Sequence, residues 1–236
     1  MQTFSDFLSK QNVWSVDWEG ATISVLDNPR LILTDSVNAE VVDRLIVDLK
    51  KITAESFGAD LDNDTDDGVR NHVVDAGSIA FLHDHGQILG FASSKVFPEE
   101  GVFYLHGIAT AQNYKCRGVG RKLAHTLSSK ANLRMIAFTT QNPIMFCLLE
   151  GLRTKVYPNP KNPEVPMDLR KLGTKLTFGR SGNIDLNSFV VTGLYEKCLY
   201  DKIPCSRIKT VNQWFETALS VEDGSTHNGF LFIGEN

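Results

Sequence analysis

A glycine-rich, basic segment, Lys115-Cys116-Arg117-Gly118-Val119-Gly120-Arg121, has the residue types and spacing to hold a phosphorylated ligand. It follows an apolar run at 102–110 and precedes a stretch with helical periodicity. Backbone N–H groups in the first turn of a helix lack intrahelical partners, and the helix dipole adds positive charge there. Because glycine has no Cβ, a phosphate oxygen can approach the main chain closely. The segment therefore predicts a phosphate site at the start of a helix.

The spacing of the glycines excludes two common phosphate-binding loops. A P-loop requires Lys and then Ser or Thr after its last glycine, whereas Gly120 is followed by Arg121, Lys122 and Leu123. A dinucleotide-binding loop requires a third glycine, and Leu123 stands at that position. For the glycine pattern alone, an ordinary tight turn stays the alternative.

The whole strand–loop–helix segment resembles the GCN5-related N-acetyltransferases, the GNAT superfamily. The hallmark of that family is Gln/Arg-x-x-Gly-x-Gly/Ala, and residues 115–120 match it with Lys115 in place of Gln or Arg. Lysine keeps the charge but not the planar fork of arginine. The resemblance covers roughly 78–157. It implies a mixed α/β (α+β) fold with a mostly antiparallel central sheet flanked by helices, and acetyl-CoA as the co-substrate.

The resemblance also implies the residues that contact the coenzyme. The end of the apolar strand would pair with the pantetheine arm, the loop would hold the pyrophosphate, and an asparagine after the next strand would contact the arm. These residues are Ile108, Ala109, Thr110, Lys115, Cys116, Arg117, Gly118, Val119, Gly120, Arg121 and Asn142. The family commonly places a tyrosine seven residues after this asparagine as general acid, but Leu149 stands there, so the proton donor is unassigned.

Two residues of the central strand are candidates for catalysis, because an attacking amine must lose a proton. Tyr104 and His106 share one face of the strand by two-residue alternation. Tyr104 matches the position of the glutamate base in histone acetyltransferases, and a phenol with a pKa of about 10 is a poor base. Histidine titrates near neutrality, which suits His106 better, although a hydrogen-bonded structural histidine is the alternative.

Composition limits the classes of function. The chain has 236 residues with a net charge of −4, so no general attraction to nucleic acid is expected. Its apolar runs are too short for a membrane span, and the first residues lack the pattern of a signal peptide. The four cysteines form no CxxC pair, which is typical of a cytoplasmic protein. The oligomeric state is not indicated.

The periodicity of the chain predicts the elements that position these residues. An N-terminal arm is expected at 1–28, with a short helix and a packing arm or edge strand. The acetyltransferase core is expected at 29–157, and a C-terminal part at 158–236 would complete the sheet and the acceptor side. Helices are expected for the stripe Val41, Val42, Leu45, Ile46, Leu49 and Ile52, for 69–76, from residue 119, for 144–152 with Asn142 as cap, and for 206–219. Strands are expected at 30–33, 78–82, 87–96, 102–110, 135–139, 189–200 and 230–233.

Two polar segments leave alternatives open. The stretch from Gly58 to Gly68 alternates aspartates as a calcium loop does, but lacks the glycine and glutamate that such a loop needs. A solvated acidic loop, or one that attracts a cationic acceptor, is the other interpretation. His83 and His85 have no third ligand nearby in sequence, so an exposed hairpin turn is favoured and no metal is expected.

Together these features predict an N-acetyltransferase that moves the acetyl group of acetyl-CoA to a primary amine, in a small molecule or a protein, by direct attack on the thioester. The alternative is a catalytically silent coenzyme-A-binding regulatory or interaction protein of the same fold.

Overall fold

The computed structural model describes residues 4–11, 13–58, 63–162, 164–179 and 181–236. Its α-helices are α1 (Phe4–Ser9), α2 (Pro29–Leu33), α3 (Ala39–Phe57), α4 (Asn63–Val74), α5 (Val119–Ala131), α6 (Pro143–Glu150), α7 (Met167–Thr177) and α8 (Lys209–Ala218). Its strands are β1 (Trp14–Trp18), β2 (Ala21–Asp27), β3 (Ser78–Asp84), β4 (Gln87–Phe97), β5 (Val102–Thr110), β6 (Met135–Thr140), β7 (Lys155–Tyr157), β8 (Asn183–Ile184), β9 (Val190–Thr192) and β10 (Gly229–Glu235). Within these residues, no helix is long and apolar enough to cross a bilayer.

The chain forms two compact units, both of mixed α/β structure. The first comprises Met1–Val96 and Phe103–Asn132, and the second comprises Phe97–Val102 and Leu133–Asn236. The predicted fold class, mixed α/β with mostly antiparallel strands and flanking helices, is confirmed. The boundaries predicted at residues 28 and 157 stay a prediction.

The first unit is built on strands in the order β1-β2-β3-β4-β5. Strands β1 to β4 pair antiparallel with their neighbours, with Ile23 opposite Leu82 and Phe81 opposite Phe91. Helix α3 contributes the predicted stripe to the core of this unit, since Val41, Val42, Leu45, Ile46, Leu49 and Ile52 are all buried. This helix prediction is confirmed, because a continuous 3.6-residue period is a local property of the sequence.

The second unit orders its strands as β6-β10-β9-β8, with β7 also paired to β10, and the recorded pairs are antiparallel. Phe138 lies opposite Phe232 in the β6–β10 pair. Rings from α6, α8 and β10 pack together, with Trp214 4.5 Å from Phe230 and Phe146 5.4 Å from Phe232 between centroids. Burial of these aromatic side chains stabilises the unit.

The structure corrects the N-terminal predictions. Residues 30–33 form helix α2 rather than a strand, because Pro29 occupies the first helical position after Asn28 in the left-handed region, and Leu31 is 78% exposed. The strand next to this position is β2, which ends at Asp27, before the predicted residues. Its Ile23 and Val25 are fully buried. Trp14 of the neighbouring strand β1 is 47% exposed.

The C-terminal part also differs from its prediction. Only Val190–Thr192 of the strand expected at 189–200 is a strand, and Tyr195 and Tyr200 lie in irregular chain after it. Helix α7 has no counterpart among the predicted helices, and it ends at Thr177, shortly before the glycines at 179 and 182. The predicted helix at 206–219 and strand at 230–233 are confirmed as α8 and β10.

Most of the acidic segment lies outside the described residues. Asp60 and Asp62 fall in the gap at 59–62, and only the backbone of Asp64 is described. That backbone belongs to helix α4, which begins at Asn63 rather than at the predicted residue 69. In the described part of the chain, no three His, Cys, Asp or Glu side chains are grouped as metal ligands.

The hairpin between β3 and β4 separates the two histidines. His83 is on β3 and only 8% exposed, so its predicted place in an exposed turn is wrong, whereas the side chain of His85 in the turn is 97% exposed. His83 Nε2 lies 2.9 Å from Ser24 Oγ. Burial lowers the pKa of His83 below its ordinary value of 6.5, against a smaller opposite effect of Asp84.

This burial predicts a pH-dependent stability. Below pH 6.5 the unfolded chain protonates His83 while the folded protein does not, so the free energy of unfolding falls as the pH decreases through 6.5 and on through the lower folded pKa. In urea unfolding, we expect the free energy of unfolding of His83→Gln to fall less than that of wild type between about pH 7.5 and about pH 5. His85→Asn, at an exposed position, should show the same fall as wild type. A fall in His83→Gln equal to that of wild type would contradict the prediction.

Candidate active site

The predicted phosphate loop leads into α5 through two residues in the left-handed region. Cys116 has φ 62° and Gly118 has φ 80°, with Arg117 between them. Alternation of this kind turns successive backbone N–H groups toward one side and forms an anion-binding concavity. No side chain caps α5 at Gly118, and the first helical hydrogen bond is Lys122 N to Gly118 O at 2.9 Å. The N–H groups in the first turn of α5 have no acceptor within the helix itself and point toward the loop side.

The space in front of this turn is open. A Cβ added at Gly118 would meet no described atom within 4 Å, and Cys116, Arg117 and Gly118 are exposed. Glycine is thus favoured at 118 because of the positive φ, and not because neighbouring atoms leave no space for a side chain. The guanidinium carbon of Arg117 lies 5.3 Å from the centre of the Tyr114 ring, a cation–π contact that orients the charge beside the loop.

Lys115, predicted as a phosphate ligand, has its ammonium group bound elsewhere. Its Nζ donates to Glu55 O at 2.6 Å and lies 3.4 Å from Ser56 O, both in the last turn of α3. These carbonyls belong to the negative end of the helix, so the ammonium group is complementary to them. Lys115 therefore anchors the loop to α3.

The end of β5 is fixed to the same helical turn. Ser56 Oγ donates to Thr110 O at 2.8 Å and accepts from Thr110 N at 2.9 Å, so both backbone groups of Thr110 are bound to one side chain. Two residues later, Gln112 N donates to a carboxylate oxygen of Glu55 at 3.0 Å. Sequence reasoning missed Glu55 and Ser56, because they lie far from the loop in sequence and no motif marks them.

The residues of strand β5 change from buried to half-buried near the middle of the strand. Residues 102–105, including Tyr104 at 2% exposed, are buried, whereas residues 106–108 are half-buried. The ring of His106 stacks on that of His72 from α4, with centroids 4.2 Å apart and planes 15° apart. The two candidate catalytic residues thus differ in access, which favours His106.

Asn142, the candidate in the second unit, is bound through its side chain. Its Oδ1 accepts from Ile144 N at 2.9 Å and caps α6 as predicted, and its Nδ2 donates to Tyr200 OH at 3.2 Å. Burial raises the pKa of Tyr200 to about 12. The phenol therefore stays protonated at neutral pH, and this contact of Asn142 had no signal in the sequence.

Leu149, at the position of the family's tyrosine, is a core residue. It is fully buried in α6, and a Cβ built on Gly234 of β10 would lie 2.9 Å from its Cδ1. The side chain therefore packs directly on the backbone of β10.

Comparison with known proteins gives one family. The model of the Acetyltransferase (GNAT) family matches residues 46–143, which include β5, the loop and α5. The chain is therefore similar to the GNAT family over this segment. No curated protein matches the chain.

Several solved structures are similar to this chain at low identity. GCN5 from Tetrahymena is 14% identical, with 66% of this chain and 89% of that chain covered and a TM-score of 0.43. Diaminobutyrate acetyltransferase EctA from Paenibacillus lautus, solved with its substrate and coenzyme A, is 14% identical over 92% and 96% of the two chains, with a TM-score of 0.43. The IAA acetyltransferase from Bacillus cereus is 10% identical over 91% and 99%, with a TM-score of 0.46.

The Lys115 anchor predicts a loss of stability on its removal. Lys115→Met leaves the last carbonyls of α3 without their charged donor, and we expect the free energy of unfolding to fall by about 1–2 kcal/mol. Lys51→Met, at an exposed position of α3, is the matched control and should change it by less than about 0.5 kcal/mol. Equal values for the two variants in urea unfolding would show that the anchor contributes nothing.

Proposed function

We propose that this protein is a GNAT N-acetyltransferase that transfers the acetyl group of acetyl-CoA to a primary amine by direct attack on the thioester. The observation that supports this best is the uncapped left-handed turn at residues 116–118 before α5. Its N–H groups and open space suit the diphosphate of the coenzyme, whose charge also favours a helix N-terminus.

In this proposal the diphosphate is held by the main chain of Cys116, Arg117, Gly118, Val119 and Gly120 and by the arginine charges at 117 and 121. Lys115 contributes by fixing the loop, because its ammonium group is bound to α3. The donor set is therefore mostly backbone N–H, which binds phosphate at short range without long side chains that must be ordered.

The pantetheine arm would pair with Ile108 and Ala109, the part of the predicted strand end whose backbone is not taken by Ser56. The Thr110 N–H already donates to Ser56 Oγ, so Thr110 fixes the end of the strand and is not proposed to bind the arm. For Asn142, in the second unit, contact with the coenzyme stays a prediction from the sequence, and its link to Tyr200 fixes the direction of its amide.

The chemistry requires an amine that has lost its proton, and His106 is better placed than Tyr104 to take part. An imidazole titrates near neutrality, and His106 is half-buried two residues before Ile108, where the arm is expected. Tyr104 is buried and its phenol is the poorer base. A backbone N–H of β5 would serve the oxyanion of the tetrahedral intermediate.

The acceptor is proposed as a primary amine, with a cationic one favoured by the aspartates between Gly58 and Gly68. A cytoplasmic location is proposed from the sequence alone. The buried Leu149 favours the second candidate, a coenzyme-A-binding protein without turnover, because no phenol can act from that position.

Calorimetry and thiol release separate these two functions. Coenzyme A and acetyl-CoA are titrated into the pure protein, and release of free thiol from acetyl-CoA is then followed with L-lysine, spermidine and a lysine-containing peptide. Heat of binding with thiol release supports the transferase. Binding with no release from any amine supports the silent protein, and no heat with either coenzyme would overturn both.

Substitution at Gly118 tests the loop. Gly118→Ala places a side chain at φ 80°, which disfavours the turn by about 1–2 kcal/mol, and we expect at least about 10-fold weaker binding of coenzyme A by calorimetry. Gly20→Ala is the matched control, because Gly20 has φ 83° and equally open surroundings but lies between β1 and β2. Equal affinity of the two variants would remove the loop from the coenzyme site.

A further inference from the structure

We infer that His72 of α4 acts with His106 as a two-imidazole base that removes the proton of the acceptor amine. The inference rests on the proposed function and adds a catalytic residue to it. Its basis is geometric: the two rings are stacked at 4.2 Å with 15° between their planes, and both belong to the first unit.

The tautomer of His72 is fixed by its hydrogen bond. Nδ1 lies 2.8 Å from Gly68 O, and a carbonyl oxygen can only accept, so Nδ1 carries a hydrogen in the neutral and in the charged ring. The lone pair of the neutral ring is therefore at Nε2. The same carbonyl stabilises the imidazolium that forms when Nε2 takes up a proton.

The strand makes room for this ring. A Cβ at Gly107 would lie 3.1 Å from His72 Cδ2 and 3.3 Å from Ser93 Oγ, so any larger residue at 107 would displace the histidine or the serine. Ser93 Oγ is buried, and in the described part of the chain it has no hydrogen-bond partner. A glycine and a buried serine beside two half-buried imidazoles favour a built site over a surface contact.

The stacking limits the pair to one positive charge, because two imidazolium rings at this distance repel each other. Of the charged residues near His72 whose side chains are described, Arg70 pairs with Asp43 at 3.3 Å and Asp75, just after α4, pairs with Arg30 at 3.6 Å. The two neutral rings can therefore take up one additional proton between them, as a base for one amine requires.

Acetyl transfer with this base removes two protons from the acceptor nitrogen. The ammonium group of the acceptor gives one proton to Nε2 of His72, and the nitrogen lone pair forms the C–N bond at the thioester carbonyl. Collapse of the tetrahedral intermediate breaks the C–S bond, the second nitrogen proton goes to the departing sulfur, and His72 returns its proton to solvent. The products are the acetamide, coenzyme A thiol and one proton.

Variants at both histidines test the inference. His72→Asn keeps a donor for Gly68 O but loses the base, and His106→Phe keeps a stacked ring. We expect each to lower kcat/KM for spermidine by about 100-fold, with the affinity for coenzyme A within about 2-fold of wild type, and the double variant to lose no more than the worse single one. The acid limb of the wild-type pH profile should be absent from His72→Asn. His85→Asn, in the exposed turn, is the control and should match wild type.

The outcomes separate this inference from the proposed function. A His72→Asn variant with wild-type kcat/KM and pH profile, or losses that multiply in the double variant, would overturn the two-imidazole base while the transferase stands. A wild-type protein that binds acetyl-CoA but releases no thiol would overturn the transferase, and the role of His72 with it.

Discussion

The last turn of α3 fixes the position of everything around the phosphate loop. Its carbonyls at Glu55 and Ser56 bind the ammonium group of Lys115, and the Ser56 hydroxyl binds both backbone groups of Thr110. The strand end and the loop are thereby held by a helix whose apolar stripe is buried in the core of the first unit. Because packed helices resist displacement, the left-handed turn at Cys116 and Gly118 begins directly after a firmly anchored residue.

The contact of Lys115 with α3 also gives the basic residues of the loop different roles. A lysine in the first position of the motif would be expected to face phosphate, yet its charge neutralises a helix end. The field at the mouth of the loop then comes from backbone N–H groups and from Arg117, which is oriented by Tyr114. Binding of this kind depends on the backbone conformation, so glycine conformation matters more than the number of cations.

The accuracy of the sequence predictions follows the range of the interactions that decide each element. The central strand, α3 and α5 have strong local periodicity, and their residues were identified correctly. The strand prediction for residues 30–33 is wrong because a run as short as Leu31-Ile32-Leu33 fits a strand or a helix, and Pro29 favours the helix. Lys115, His106 and Asn142 are candidates from the sequence, but their partners Glu55, His72 and Tyr200 are brought near only by tertiary folding.

Leu149 shows why a missing family residue need not mean a lost site. Its side chain packs on the backbone of Gly234, so a tyrosine there would need space that the contact between α6 and β10 occupies. The substitution is therefore coupled to the packing of the second unit. In the inferred reaction the departing sulfur takes its proton from the attacking nitrogen, so the tyrosine is not needed as an acid. The base is provided by two stacked imidazoles of the first unit, of which His72 is held by Gly68 O and is accommodated by the absence of a side chain at Gly107. A base assembled from α4 and β5 lies on the same elements that carry the loop and the strand end, so its geometry is set by the core that sets theirs.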